Sequence, residues 1–117
     1  MKIPFDVNLS GKTAIVTGGS GTLCSAMAYG LAVSGASVAL IGRNRDKMSQ
    51  VISSLTQQAA DEQNKSTVIR GYICNVTDKS SLISTYETIR AELGSCDILI
   101  NGAGGNQPGA ITAAEML

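Results

Sequence analysis

Four short apolar runs, each separated from the next by a stretch with helical spacing, restrict this chain to one class of fold. The runs cover residues 13–16, 37–41, 68–73 and 98–100. The first, second and fourth are almost uninterrupted, as parallel strands are when helices cover both faces of the sheet. A first helix is predicted over 22–34, with Gly35 ending it. Its Ala26, Ala28 and Gly30 are small enough to let it lie close on a sheet. A second is predicted over 45–60, where Met48, Val51, Ile52 and Leu55 follow the i, i+3, i+4, i+7 rule. The third takes Thr77 as its N-cap and Asp78 in its first turn, where a negative charge complements the dipole. Leu82, Tyr86, Ile89 and Leu93 form its core-facing stripe, and Gly94 closes it. An alternating β-α-β-α-β-α-β order implies an α/β fold, a doubly wound parallel sheet with strand order 3-2-1-4. The first two helices then lie on one face and the third on the other. Ligands bind such sheets beyond the strand C-termini, here at the switch point between strands 1 and 4.

Where the first strand gives way to the first helix stands Thr17-Gly18-Gly19-Ser20-Gly21-Thr22-Leu23-Cys24. Glycines there let a pyrophosphate approach the backbone, and the helix N-terminus offers N–H donors and a favourable dipole. The same composition also serves a plain tight turn from strand to helix. Cys74-Asn75-Val76-Thr77 follows the third strand, and Asn101-Gly102-Ala103-Gly104 follows the fourth.

Together these three segments resemble the short-chain dehydrogenase/reductase family, over nearly the whole chain from Leu9 to Asn106. The family's turn reads TGxxxGxG. Thr17 and Gly18 match, Thr22 and Cys24 stand at the second and third glycines, and Gly21 comes one place early. The last glycine normally permits close helix–strand packing, so Cys24 is expected to hold the helix slightly outward. Asn75 replaces the Asp of the family's Asp-Val, and its amide oxygen is expected to accept from the adenine amino group. Gly102 replaces the second Asn of Asn-Asn-Ala-Gly, a segment that in the family steadies the sheet and lies along the nicotinamide ribose. The run from Gly18 to Ala28, with Gly105-Asn106, is similar to the D-mannonate (fructuronate) oxidoreductase branch.

The resemblance implies a Rossmann-type fold and an NAD(P)-dependent oxidoreductase acting on an alcohol or ketone. Its cofactor-binding residues would be Gly18, Ser20, Gly21, Thr22 and Leu23 in the turn, and Arg43 and Asn44 after strand two. Asn75 and Val76 after strand three, and Asn101, Ala103 and Gly104 after strand four, complete the set. Strand two ends in Ile41-Gly42-Arg43-Asn44-Arg45, with no carboxylate before Asp46 to hold the ribose hydroxyls of NAD(H). Arg43 can face a 2′-phosphate and lay its plane on adenine, which favours NADP(H) over NAD(H). Arg43 and Arg45 also suit a solvated helix start.

Catalysis in the family uses a Ser and a YxxxK motif. The tyrosines here are Tyr29, Tyr72 and Tyr86, none opening such a motif. No catalytic residue is therefore assigned, and residues 1–117 are expected to be the dinucleotide-binding part without its catalytic part. A non-catalytic dinucleotide-binding module and a flavodoxin-like fragment without ligand are the rival readings. Strand four should form an unprotected apolar edge, so a homo-oligomer is expected, and Ile100→Lys should weaken it.

Bulk composition excludes other classes. The 117 residues suit one domain, and 44% hydrophobic against 15% charged residues is a globular balance. Nine basic and nine acidic side chains give no net field to hold nucleic acid. No run of about 18 apolar residues would span a membrane. Pro4, Asp6 and Asn8 interrupt the place of a signal peptide, so a cytoplasmic protein is expected. With no His and only the scattered Cys24, Cys74 and Cys96, no metal site is expected, and the cysteines read as small buried hydrophobes.

Overall fold

The computed structural model describes residues 8–18, 21–61 and 67–102. Its elements are β1 (Thr13–Thr17), α1 (Thr22–Val33), β2 (Ser37–Gly42), α2 (Arg45–Asp61), β3 (Val68–Ile73), α3 (Lys79–Glu92) and β4 (Ile98–Asn101). The four strands form one parallel sheet in the order β3-β2-β1-β4, the doubly wound arrangement that the sequence predicts. Every residue of β1 is buried, which is why its apolar run is unbroken. Successive residues of a strand point to opposite faces, so β1 feeds two layers. Ala14 and Val16 pack with Val38 and Leu40 beneath α1 and α2, while Ile15 joins Ala39, Ile41 and Ile89 of α3.

α1 meets the sheet through Ala28 and Ala32, which are almost fully buried. Ala26 is exposed, and a Cβ on Gly30 would meet nothing within 4 Å, so neither of those small residues seats the helix as expected. A seat that the spacing does not reveal is Gly71 in β3. A Cβ there would stand 2.5 Å from Ile52 Cδ1 and 2.6 Å from Met48 Cγ, so α2 lies on β3 only because Gly71 has no side chain. Gly35 and Gly94 follow α1 and α3 with φ of +108° and +113°, as expected of helix-ending glycines.

Two expectations about α3 need correction. Its N-cap is Asp78, whose carboxylate accepts from the Ser81 N–H at 3.3 Å, and not Thr77. The Thr77 hydroxyl is engaged elsewhere, donating to Asn75 Oδ1 at 2.7 Å. Tyr86 is not core but 42% exposed, because the neighbouring β4 leaves that side of the layer open among the described residues. At its other end α3 is tied to β3. The Tyr72 hydroxyl donates to Glu92 Oε1 at 2.5 Å, and Arg70 stands 3.6 Å from the same oxygen. Burial, then the Glu92 carboxylate, pushes the Tyr72 phenol up to about 12.

The segment before β4 pins the N-terminal end of β1. Asp97 Oδ2 accepts from the Thr13 N–H at 2.9 Å, and the Thr13 hydroxyl donates to the Leu93 carbonyl at 2.9 Å. Cys24 and Cys74 are buried free thiols, as expected, and Cys96 is half-buried. Among the described residues no helix is long and apolar enough to cross a membrane.

Candidate functional site

Every strand ends toward the same side of the sheet, and the hydrogen-bond ladder runs one residue past them. The N–H of Gly18 donates to the Ile41 carbonyl at 2.9 Å, that of Cys74 to Gly42 at 2.9 Å, and that of Gly102 to Thr17 at 3.1 Å. Gly18, Arg43, Cys74 and Gly102, the residues that follow the four strands, are therefore aligned along one end. From β1 the chain turns into α1 on one face, while α3 returns it to β4 on the other. The crevice between β1 and β4 lies where those two directions part.

Gly18 makes the turn with φ +73°, a conformation that a side chain would strain, and its carbonyl accepts from the Gly21 N–H at 3.0 Å. Gly21 is the N-cap of α1. It makes no side-chain cap, and the first turn carries no acidic residue. The other two helices are closed differently. Asn44 Oδ1 accepts from the Lys47 N–H at 3.0 Å at the start of α2, and Asp78 caps α3. The first amides of α1 thus carry a partial positive charge with no side-chain acceptor from the cap residue, a helix start whose chemistry suits a pyrophosphate. Leu23, 72% exposed, stands on the rim of this turn. Ser20, the Thr22 side chain, Ala103 and Gly104 lie outside the described residues.

Cys24 and Gly102, the two departures from the family's glycine and asparagine patterns, occupy one space. A Cβ on Gly102 would lie 2.0 Å from Cys24 Sγ and 3.0 Å from the Thr17 carbonyl oxygen. The volume that the cysteine adds is therefore taken up over the bare backbone at 102.

Asn101 is brought against the turn, its Oδ1 accepting from the Thr17 hydroxyl at 2.8 Å. Thr17 was not among the expected binding residues, although the Thr-Gly that opens the motif is its signal. Val76 lines a groove of about 700 Å³ with Thr17, Ile41 and Asn101 at its upper rim and Leu82, Ile83 and Tyr86 along its α3 wall. Asn75 lies beside Val76, its Oδ1 held by both the N–H and the hydroxyl of Thr77. Arg43 and Asn44 are exposed past β2, outside the residues that line the groove. Among the described residues no cluster of acidic or sulphur side chains could hold a metal.

The short chain dehydrogenase family model matches residues 12–116. An uncharacterized oxidoreductase of Bacillus subtilis is 43% identical over 113 residues, which are 97% of this chain and 38% of that protein. A proposed D-mannonate oxidoreductase of Haemophilus influenzae, solved with bound NAD, superposes with a TM-score of 0.74 at 36% identity, over 89% of this chain and 35% of that one. L-Sorbose reductase of Gluconobacter frateurii, complexed with NADPH and L-sorbose, gives 0.74 at 28% identity, over 96% and 41%. The chain spans about two fifths of the length of these relatives. With the family's motifs at the strand ends, its strand order and a match over nearly all of its residues, the chain belongs to the short chain dehydrogenase family.

Proposed function

We propose that this chain is the nicotinamide dinucleotide-binding half of an oxidoreductase that interconverts an alcohol and a ketone. The observation that carries the reading is the uncapped start of α1, which follows the positive-φ turn at Gly18 past the end of β1. Gly18, Gly21 and Leu23 would hold the pyrophosphate through backbone amides. Arg43, Asn75 and Val76 would surround the adenine end, and Asn101, oriented by Thr17, would border the nicotinamide ribose. When bound, the nicotinamide ring supplies the chemistry by accepting or giving up a hydride. Substrate binding and the acid–base groups are assigned to segments beyond these residues, since the chain matches only about 38% of its relative.

A sugar acid, as in the mannonate–fructuronate pair, is the proposed substrate class, supported by the relative whose proposed substrate is D-mannonate. NADP(H) is the proposed cofactor form. No carboxylate lies between the end of β2 and Asp46, and exposed Arg43 would meet the 2′-phosphate. Calorimetric titration of the full-length protein with NADPH and NADH, followed by turnover of fructuronate, tests both parts. Binding of both, NADPH more tightly, is expected. Failure to bind either dinucleotide would overturn the reading.

A further inference from the structure

Gly102 lacks a side chain for want of space, not for want of a turn. Its φ lies outside the left-handed region, so its backbone conformation does not itself require glycine. A Cβ there would stand 2.0 Å from Cys24 Sγ, far inside contact distance. Cys24 is buried in the first turn of α1, so one sulphur atom carried by that helix closes the gap to the residue that follows β4. The same place is also held from β1. The Gly102 N–H donates to the Thr17 carbonyl at 3.1 Å, and the Thr17 hydroxyl donates to Asn101 Oδ1 at 2.8 Å. Those two bonds fix the end of β4 against β1, whereas the thiol sets its distance from α1.

We propose that Cys24 is a positioning residue for the nicotinamide half of the dinucleotide. Its sulphur, packed on the backbone of Gly102, holds the end of β4 at the distance from α1 that a ligand spanning the two requires. This rests on the dinucleotide reading of the crevice. In that reading the pyrophosphate sits at the start of α1 and the adenine half runs toward Arg43, so the nicotinamide half crosses to the β4 side. Thr17 and Asn101, both bonded at this junction, line the upper rim of the groove there. Cys24 acts through Gly102 and touches no part of the ligand.

The test compares NADH with adenosine diphosphate, which shares its adenine half and pyrophosphate and stops there, by calorimetric titration of the full-length protein. General damage to the fold weakens both ligands alike, so the ratio of their Kd values isolates the nicotinamide half. Cys24→Ala removes the sulphur while keeping a good helix former, and should cut the advantage of NADH by about fivefold or more, the scale of one hydrogen bond. Cys24→Ser, nearly the same size, should hold the ratio within about twofold. Combining Cys24→Ala with Gly102→Ala returns one atom to the same space from the other side and should restore the ratio. The new Cβ would lie 3.0 Å from the Thr17 carbonyl oxygen, a contact relieved by a small shift. A ratio unmoved in Cys24→Ala would overturn the assignment and leave Cys24 a purely structural residue. So would a ratio that falls as far in Cys24→Ser, or one that stays low in the double variant. Should Cys24→Ala not fold, Gly102→Ala takes its place: its Cβ drives the strand end away from α1, and an unmoved ratio overturns the assignment. Binding of neither ligand removes the dinucleotide reading itself, whereas binding of both with an unmoved ratio removes only the role of Cys24.

Discussion

Cys24 and Gly102 show how a side chain's meaning depends on one far away in sequence. Each alone is a departure from a glycine or asparagine pattern. Together they are a single exchange of volume, since the thiol fills the space that a side chain at 102 would need. Gly102→Asn should therefore destabilise the full-length protein by about 1–3 kcal/mol, the scale of overpacking. Pairing it with Cys24→Gly should recover most of that loss, and urea denaturation of both singles and the double measures the coupling. The exchange was not legible in the sequence, which gives two substitutions but not the distance between them. A second residue, Arg43, bears on cofactor choice. Arg43→Ala should weaken NADPH by roughly 1.5–3 kcal/mol, as for a hydrogen bond to a charged group, and NADH much less. Equal losses by titration would mean that Arg43 stacks on adenine or supports the fold and does not read the phosphate. Arg43 is singled out from the sequence because dinucleotide-binding sheets of this kind make the cofactor choice at a fixed place, the end of the second strand.

Among the elements, β1 and β2 were legible because parallel strands covered on both faces are apolar throughout. The helices followed from their spacing, but their seating did not. Gly71 matters only because α2 crosses β3, and no local pattern announces a crossing. Capping of α3 was misplaced by one residue for a similar reason: Thr77 is a good N-cap by type, yet its hydroxyl belongs to Asn75. Asp78→Ala should thus cost about 1 kcal/mol in thermal or urea unfolding. The link from β3 to α3 predicts a pH dependence as well. Tyr72 has a folded pKa raised from 10.0 to about 12, so the folded state holds its proton longer than the unfolded chain. Its contribution to stability is full below pH 10 and falls as pH rises toward 12. Glu92→Gln should bring the phenol's pKa down, read as earlier growth of tyrosinate absorbance in a near-ultraviolet titration.

For the whole molecule, the strand order and the convergence of three motifs were readable, whereas what covers β4 was not. Leu99 is 63% exposed, with Ile83 50% and Tyr86 42% exposed on the adjoining α3 wall. Ile98 and Ile100 instead pack toward the α1 side, so Ile100→Lys would strike the core and Leu99→Lys is the substitution that addresses the open face. A polypeptide of these 117 residues should sediment as oligomers or aggregates, and Leu99→Lys should raise its monomer fraction. A monodisperse monomer before substitution would contradict this. The same polypeptide should show no dehydrogenase turnover with fructuronate, measured by loss of NADPH absorbance, because it lacks a Ser and YxxxK set.

The central position of β1 also bears on how the chain is made. β1 pairs with β2 on one side and with β4 on the other, and the Thr13–Asp97 bond that anchors the second pairing joins residues 84 positions apart. At roughly 5–20 residues per second, a ribosome needs about 4–17 s to deliver that partner after β1 has emerged. Throughout that interval the strand destined for the middle of the sheet is itself an edge. A nascent chain of this topology is thus most vulnerable to mispairing at its future centre, and a chaperone that shields β1 would protect it better than one acting on completed chains.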